Sequence, residues 1–185
     1  MRKVIYSMNV SLDGFVEGSN RELDWSIPDE ELHRFWNDQV REMSAFLYGR
    51  RLYELMANFW PTADQDPSAP DYIVEFARLW RDMPKVVFST TLEKVKWNSR
   101  LVRDDIADEV ARLKAQPGKD MDVGGPTLAT TFMRLGLIDE YRLVVHPIVL
   151  GAGTPFFPPL DERVGLRLVE THTFGSGFVY LRYQR

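Results

Sequence analysis

The chain has 185 residues, 44% of them hydrophobic and 27% charged, with no cysteine and a formal net charge of -4. Disulfides, zinc–thiolate sites and thiol nucleophiles are therefore excluded, and there is no general attraction to nucleic acid or an anionic membrane. No stretch approaches the ~20 apolar residues of a membrane span, and "MRKVIYSMNV" is too interrupted for a signal peptide, so a cytoplasmic protein is expected.

Residues 3–12, "KVIYSMNVSL", read as an opening strand that the Asp13-Gly14 turn ends. Over 27–43 a proline and acidic residues precede Leu32, Phe35, Trp36 and Val40 at helical spacing. "SAFLYG" (44–49) is a short strand running into a helix, "RRLYELMANFW" (50–60), and the polar, proline-bearing 62–71 reads as a loop. A helix over 72–83 leads to a buried strand, "KVVFST" (85–90). An amphipathic helix (104–116), a short strand (120–125) and a helix (126–137) follow, then a long apolar strand over 140–153. The tail, from Val164, reads as a hairpin about Gly175-Ser176-Gly177. Alternating strands and helices with a terminal hairpin predict one α/β domain, 1–185, with a mostly parallel sheet and an antiparallel C-terminal end. In such sheets ligands sit at the carboxyl ends of the strands.

Three strand-end corners have unusual chemistry. In "YGRRLYE" (48–54), Gly49 ends a strand, and Arg50 and Arg51 occupy a helix N-terminus, where the dipole is positive. Two cations there make sense if an anion completes the site. In "FSTTL" (88–92), Ser89, Thr90 and Thr91 follow a buried strand. In "VGGPTLATTF" (123–132), Gly124 and Gly125 bare backbone N–H groups ahead of Pro126 and Thr127, a pattern that suits an anion nest. Each corner also has a plain reading: solvated arginines, a hydroxyl-rich turn, a tight glycine turn. It is not the G-x-G-x-x-G fingerprint, and no P-loop lysine follows.

Asp13 is explained by its turn, and Asp29, Glu30 and Glu31 by the helix dipole. A carboxylate of this helix pointing into a cleft beside Trp25 would have its pKa raised by burial and would serve as a proton donor. His33, His146 and His172 show no metal-ligand spacing. No G-x-S-x-G elbow anchors a hydrolase triad.

In this order, "KVIYSMNVSLDGFV", "YGRRLYE", "VVFSTTL" and "VGGPTLATTFMRLGLIDEYRLVVHPIVLGAGTPFF" resemble the dihydrofolate reductase superfamily, in particular the bacterial proteins related to the RibD C-terminal reductase domain. The resemblance covers nearly the whole chain and implies a three-layer α/β/α sandwich that binds NADPH. It places Gly49, Arg50 and Arg51 at the adenosine phosphate and pyrophosphate, and Ser89, Thr90 and Thr91 on the adenosine side. Gly124, Gly125, Thr127 and Leu128 cradle the pyrophosphate, and Asn9 and the "SLDG" turn lie near the nicotinamide. Either Glu30 or Glu31 aligns with the first-helix carboxylate of the folate reductases. The candidate catalytic residues are thus Glu30, Glu31 and Asp13.

The chain also departs from its relatives. Leu52 stands where threonine is frequent, and "LMANFWPTADQDP" replaces the acidic "ADDP" segment of the riboflavin-pathway reductases. The expectation is an NADPH-dependent reductase of a small conjugated or ribityl-bearing substrate, resembling the 5-amino-6-(5-phosphoribosylamino)uracil reductases or pterin and folate reductases. A non-catalytic dinucleotide-binding or regulatory protein of the same fold is the alternative, and a flavin-dependent enzyme a third. The resemblance further implies a homodimer, and no nucleic-acid or membrane partner is expected.

Overall fold

The alternation of apolar side chains along the opening strand explains the layering of the whole molecule, seen in a computed structural model that describes residues 1–185. In β1 (Val4–Ser11), Val4, Tyr6 and Val10 point to one face of the sheet and Ile5 to the other, as the two-residue period of a strand requires. Seven more strands join it: β3 (Met43–Gly49), β4 (Lys85–Phe88), β5 (Ser99–Val102), β6 (Asp120–Gly124), β7 (Glu140–His146), β9 (Arg167–Thr173) and β10 (Val179–Gln184). Their order is β5-β4-β3-β6-β1-β7-β10-β9. Six are parallel, and the closing hairpin adds the antiparallel pair β10-β9.

Helices cover both faces. Val4, Tyr6, Met121 and Val123 pack with Val110 and Leu113 of α4 (Ile106–Ala115) and with Leu128, Ala129 and Phe132 of α5 (Pro126–Arg134). On the opposite face, Ile5, Phe46 and Tyr48 pack with Tyr53 of α2 (Arg50–Phe59) and Trp80 of α3 (Asp71–Asp82). Beside them Leu32 of α1 (Glu30–Arg41) meets Val144 and Tyr180. The predicted mostly parallel α/β sheet with an antiparallel C-terminal end is the observed one. No helix is long and apolar enough to cross a membrane.

Several boundaries differ from expectation for identifiable reasons. The strand expected over 140–153 stops at His146, because Pro147 has no N–H to continue a ladder. The chain then loops, with Gly151 at φ +79°. Its return forms β8 (Thr154–Pro155), which pairs with β2 (Phe15–Glu17) in a small second sheet. Neither strand was legible: both are two or three residues long, and β2 gains its pairing partner from 137 residues away. Edge strand β5 was also missed; its four residues show no alternation of exposure. A 3-10 turn over Trp60–Gln65, with Pro61 at its start, overlaps the first part of the expected loop 62–71.

Candidate functional site

Gly49, Phe88 and Gly124 end three adjacent strands at one level of the sheet, since Tyr48 pairs with Gly124 and Gly49 with Phe88. Beyond these ends lies a cleft of about 630 Å³, within the range of small-molecule and cofactor sites. All ten residues of the three sequence corners line it: Gly49, Arg50 and Arg51; Ser89, Thr90 and Thr91; Gly124, Gly125, Thr127 and Leu128.

The first corner opens α2. Gly49 is its N-cap and offers no side chain to the first-turn N–H groups. A Cβ at Gly49 would sit 3.5 Å from Leu128 Cβ, so the starts of α2 and α5 are in contact. Arg50 donates to Glu54 Oε1 at 3.0 Å and to Thr91 Oγ1 at 2.9 Å, which joins the first corner to the second. Arg51 forms an ion pair with Glu17 at 2.7 Å. Glu17 is 5% exposed and also accepts from Thr154 Oγ1 at 2.8 Å.

In the second corner Ser89 acts as a turn former, its Oγ accepting from the N–H groups of Thr91 and Leu92 at 3.2 and 3.1 Å. Arg103 braces the same turn by donating to the carbonyls of Thr90 and Leu92. The third corner opens α5. Gly125, its N-cap, holds φ at +88°, a conformation that L side chains rarely adopt, and no side chain caps the helix. A Cβ at Gly124 would come within 2.4 Å of Leu52 Cδ2. The glycine pair therefore makes a tight turn and leaves a bare helix start. Two uncapped helix N-termini thus face one cleft, each with partly positive N–H groups. Arg21, Arg50, Arg51 and Arg103 stand in its walls against Glu17 and Glu54.

The other expected site residues lie outside this cleft. Asn9 braces two elements, accepting from Trp36 Nε1 at 3.1 Å and donating to the Ser26 carbonyl at 3.2 Å. Asp13 accepts from Ser11 Oγ at 2.7 Å and from the N–H groups of Leu150 and Gly151, fixing the β1 turn to the loop after β7. The Ser11 hydrogen bond leads the forces that hold its carboxylate below the ordinary range. Glu30 is exposed and paired with Arg34 at 2.9 Å. Glu31 is exposed and accepts from the Gly175 N–H at 3.1 Å. Asp29 caps α1 through the Leu32 N–H at 2.9 Å, and Trp25 meets His146 edge-on at 5.5 Å. No carboxylate of α1 enters the cleft. The first turn of this helix faces its own cap and the hairpin.

Sequence reasoning passed over Glu17, Arg21 and Arg103. Glu17 and Arg21 lie in the segment after the Asp-Gly turn, where no periodicity marks them. Arg103 follows a strand that was itself unseen.

Residues 2–180 match the family described as the RibD C-terminal domain. A protein of Bacillus subtilis (strain 168), YyaP, uncharacterized, is 39% identical over 183 residues, covering 98% of this chain and 94% of its own. Among solved structures, a dihydrofolate reductase from Enterococcus faecalis complexed with NADP(H) is 11% identical with a TM-score of 0.62, over 99% of this chain and 96% of that one. A diaminohydroxyphosphoribosylaminopyrimidine deaminase/5-amino-6-(5-phosphoribosylamino)uracil reductase from Thermotoga maritima is 14% identical with a TM-score of 0.63, over 99% of this chain and 56% of that one. The fold is therefore that of the dihydrofolate reductases, and the chain belongs to the RibD C-terminal domain family.

Proposed function

We propose that the protein is an NADPH-dependent reductase of a small conjugated or ribityl-bearing molecule, of the 5-amino-6-(5-phosphoribosylamino)uracil or pterin and folate type. The observation that carries this reading is the convergence of two uncapped helix N-termini and four arginines on one cleft at the carboxyl ends of parallel strands. Such a cleft suits an extended ligand with phosphates along its length. The residues fit the cofactor: the N–H groups at the start of α5 for the pyrophosphate, Arg50, Arg51 and Thr91 for phosphate oxygens, and the Ser89–Leu92 turn braced by Arg103 for the adenosine end. Bound there, the cofactor would supply hydride, while the protein supplies orientation and electrostatics. The names of the solved relatives, one a uracil-derivative reductase and one a folate reductase holding NADP(H), support the same reading.

Titration with NADPH, followed by nicotinamide fluorescence, tests it; saturable binding is expected, and none at millimolar cofactor refutes it. A second reading, a dinucleotide-binding protein without turnover, is favoured by one observation: Asp13, Glu30 and Glu31 are all engaged outside the cleft. NADPH that binds but is never oxidised across a panel of folate, pterin and riboflavin-precursor substrates would select that reading.

A further inference from the structure

Side chains on the central strands of a sheet covered by helices are ordinarily closed off from solvent. Ile5 of β1 and Tyr48 of β3 follow that rule, at 0% and 3% exposure. On the same face, three polar neighbours do not: Ser7 and Asn9 of β1 and Asp122 of β6 are each partly exposed. So are Trp36 and Gln39 of α1 and Leu52 and Met56 of α2. The helices therefore cover the sheet incompletely over β1 and β6, and polar groups of the two strands reach solvent there.

Asp122 is the unexplained group in that floor. Its strand lies between β3 and β1, and it stands opposite Ile5 and Phe46, two residues before the Gly124 corner of the cleft. Its Oδ1 is sealed from solvent without a hydrogen-bond partner. A carboxyl placed so costs stability and serves no visible structural purpose, which is how functional acids commonly stand out. Burial pushes its pKa up to about 7, with a hydrogen bond from Ser7 and the charge of Arg142 pulling the other way. The titratable or charged groups on its face of the sheet are Tyr48 of β3 and Arg142 of β7, while Tyr6 of β1 acts on it from the opposite face; both phenols are neutral over that range.

We propose that Asp122 is the proton-donating acid of the substrate site, and that this site takes a planar nitrogen heterocycle laid over β1 and β6. The proposal rests on the reductase reading for its source of hydride. A bound reduced nicotinamide would supply hydride to the carbon of a C=N bond, while the Asp122 carboxyl would give its proton to the nitrogen. Water then reprotonates the carboxylate, so that one reduced nicotinamide and one proton are consumed per turnover. Ser7, on the same face and favouring the ionised carboxylate, positions the acid, and the partly exposed Trp36 stands over the same face.

The test is 13C NMR of aspartate-labelled full-length protein titrated across neutral pH, alone and with 2,4-diaminopyrimidine. That probe places a ring N–H and an amino group side by side, two donors for one carboxylate. The expected result is a carboxyl signal titrating near neutrality, assigned by its loss in Asp122→Asn, whose midpoint falls by about one unit or more when the cationic probe binds. Asp122→Asn should weaken the probe about tenfold or more and leave NADPH affinity unchanged. A signal that ignores the saturating probe, or no probe binding at millimolar concentration, overturns the proposal; the wild-type titration decides even if the variant fails to fold. If NADPH does not bind but the probe still moves Asp122, the cofactor reading falls and the heterocycle site stands.

Discussion

Gly125→Ala separates a glycine kept for its turn from one kept for a ligand. Gly125 holds φ at +88° and a Cβ there would lie 3.3 Å from Leu52 Cβ. An L residue at positive φ costs roughly 1–2 kcal/mol, and the tight contact adds to that, for a total destabilisation of about 1–3 kcal/mol. Gly177, in the turn of the closing hairpin, has φ +89° with nothing within 4 Å of its would-be Cβ. It is a matched control: the same backbone strain without the contact, on an element that does not line the cleft. Urea unfolding should therefore show Gly177→Ala losing about 1–2 kcal/mol and Gly125→Ala the same or somewhat more. Nicotinamide fluorescence should show a different split. Relief of strain at Gly125 rotates the peptide that leads into α5 and misaligns the N–H groups of Thr127 and Leu128. NADPH affinity should then fall about tenfold or more, or about 1.4 kcal/mol, in Gly125→Ala and stay unchanged in Gly177→Ala. Wild-type affinity in Gly125→Ala, or an equal loss in Gly177→Ala, would refute the reasoning and return the glycine pair to a purely structural role.

Three further outcomes are expected. Glu140 is fully buried and holds Arg142, Arg182 and Gln184 at 2.7–3.0 Å. Burial alone would raise its pKa, but the hydrogen bonds from Arg182 and Gln184 and the charge of Arg142 win and bring it to about 2. A folded-state pKa depressed from 4.5 means the contribution, about 3 kcal/mol, is present above the ordinary glutamate range. It is lost as pH falls toward 2, so Glu140→Gln should unfold more readily at neutral pH and lose this acid limb in urea melts. Glu17→Gln removes the carboxylate held by Arg51, so inorganic pyrophosphate, followed by calorimetry, should bind about threefold to tenfold tighter; weaker binding would mean that Glu17 serves to position Arg51. All seven residues of edge strand β9 are exposed, Leu168 and Val169 among them at 49% and 39%. Light scattering should accordingly give a dimer that Val169→Lys converts to monomer; a monomeric wild type would count against the homodimer.

Much of this protein was legible in one dimension. Periodicity, turn residues and helix-start chemistry are local properties, so "VGGPTLATTF", "FSTTL" and "YGRRLYE" announced strand-to-helix or strand-to-turn corners, and the alternation of elements announced a mostly parallel sheet. The convergence of those corners is a product of strand order, in which β4, β3 and β6 lie side by side although Gly49 and Gly124 are 75 residues apart in sequence. The pairing of β2 with β8, and with it Glu17's reach to both Arg51 and Thr154, needed contacts between segments 137 residues apart. The acidic residues show the divide most clearly. Resemblance to the folate reductases put forward Glu30 and Glu31, since either aligns with their first-helix carboxylate, yet that first turn exposes both to solvent and to their neighbours. Asp122 passes for an ordinary polar residue in "DMDVGG", and only its place on a central strand, where one carboxylate oxygen is sealed from solvent without a partner, sets it apart. Local chain chemistry determined what each corner is made of; the low-dielectric environment and the meeting of distant strands, which decide what a side chain can do, exist only in the folded molecule.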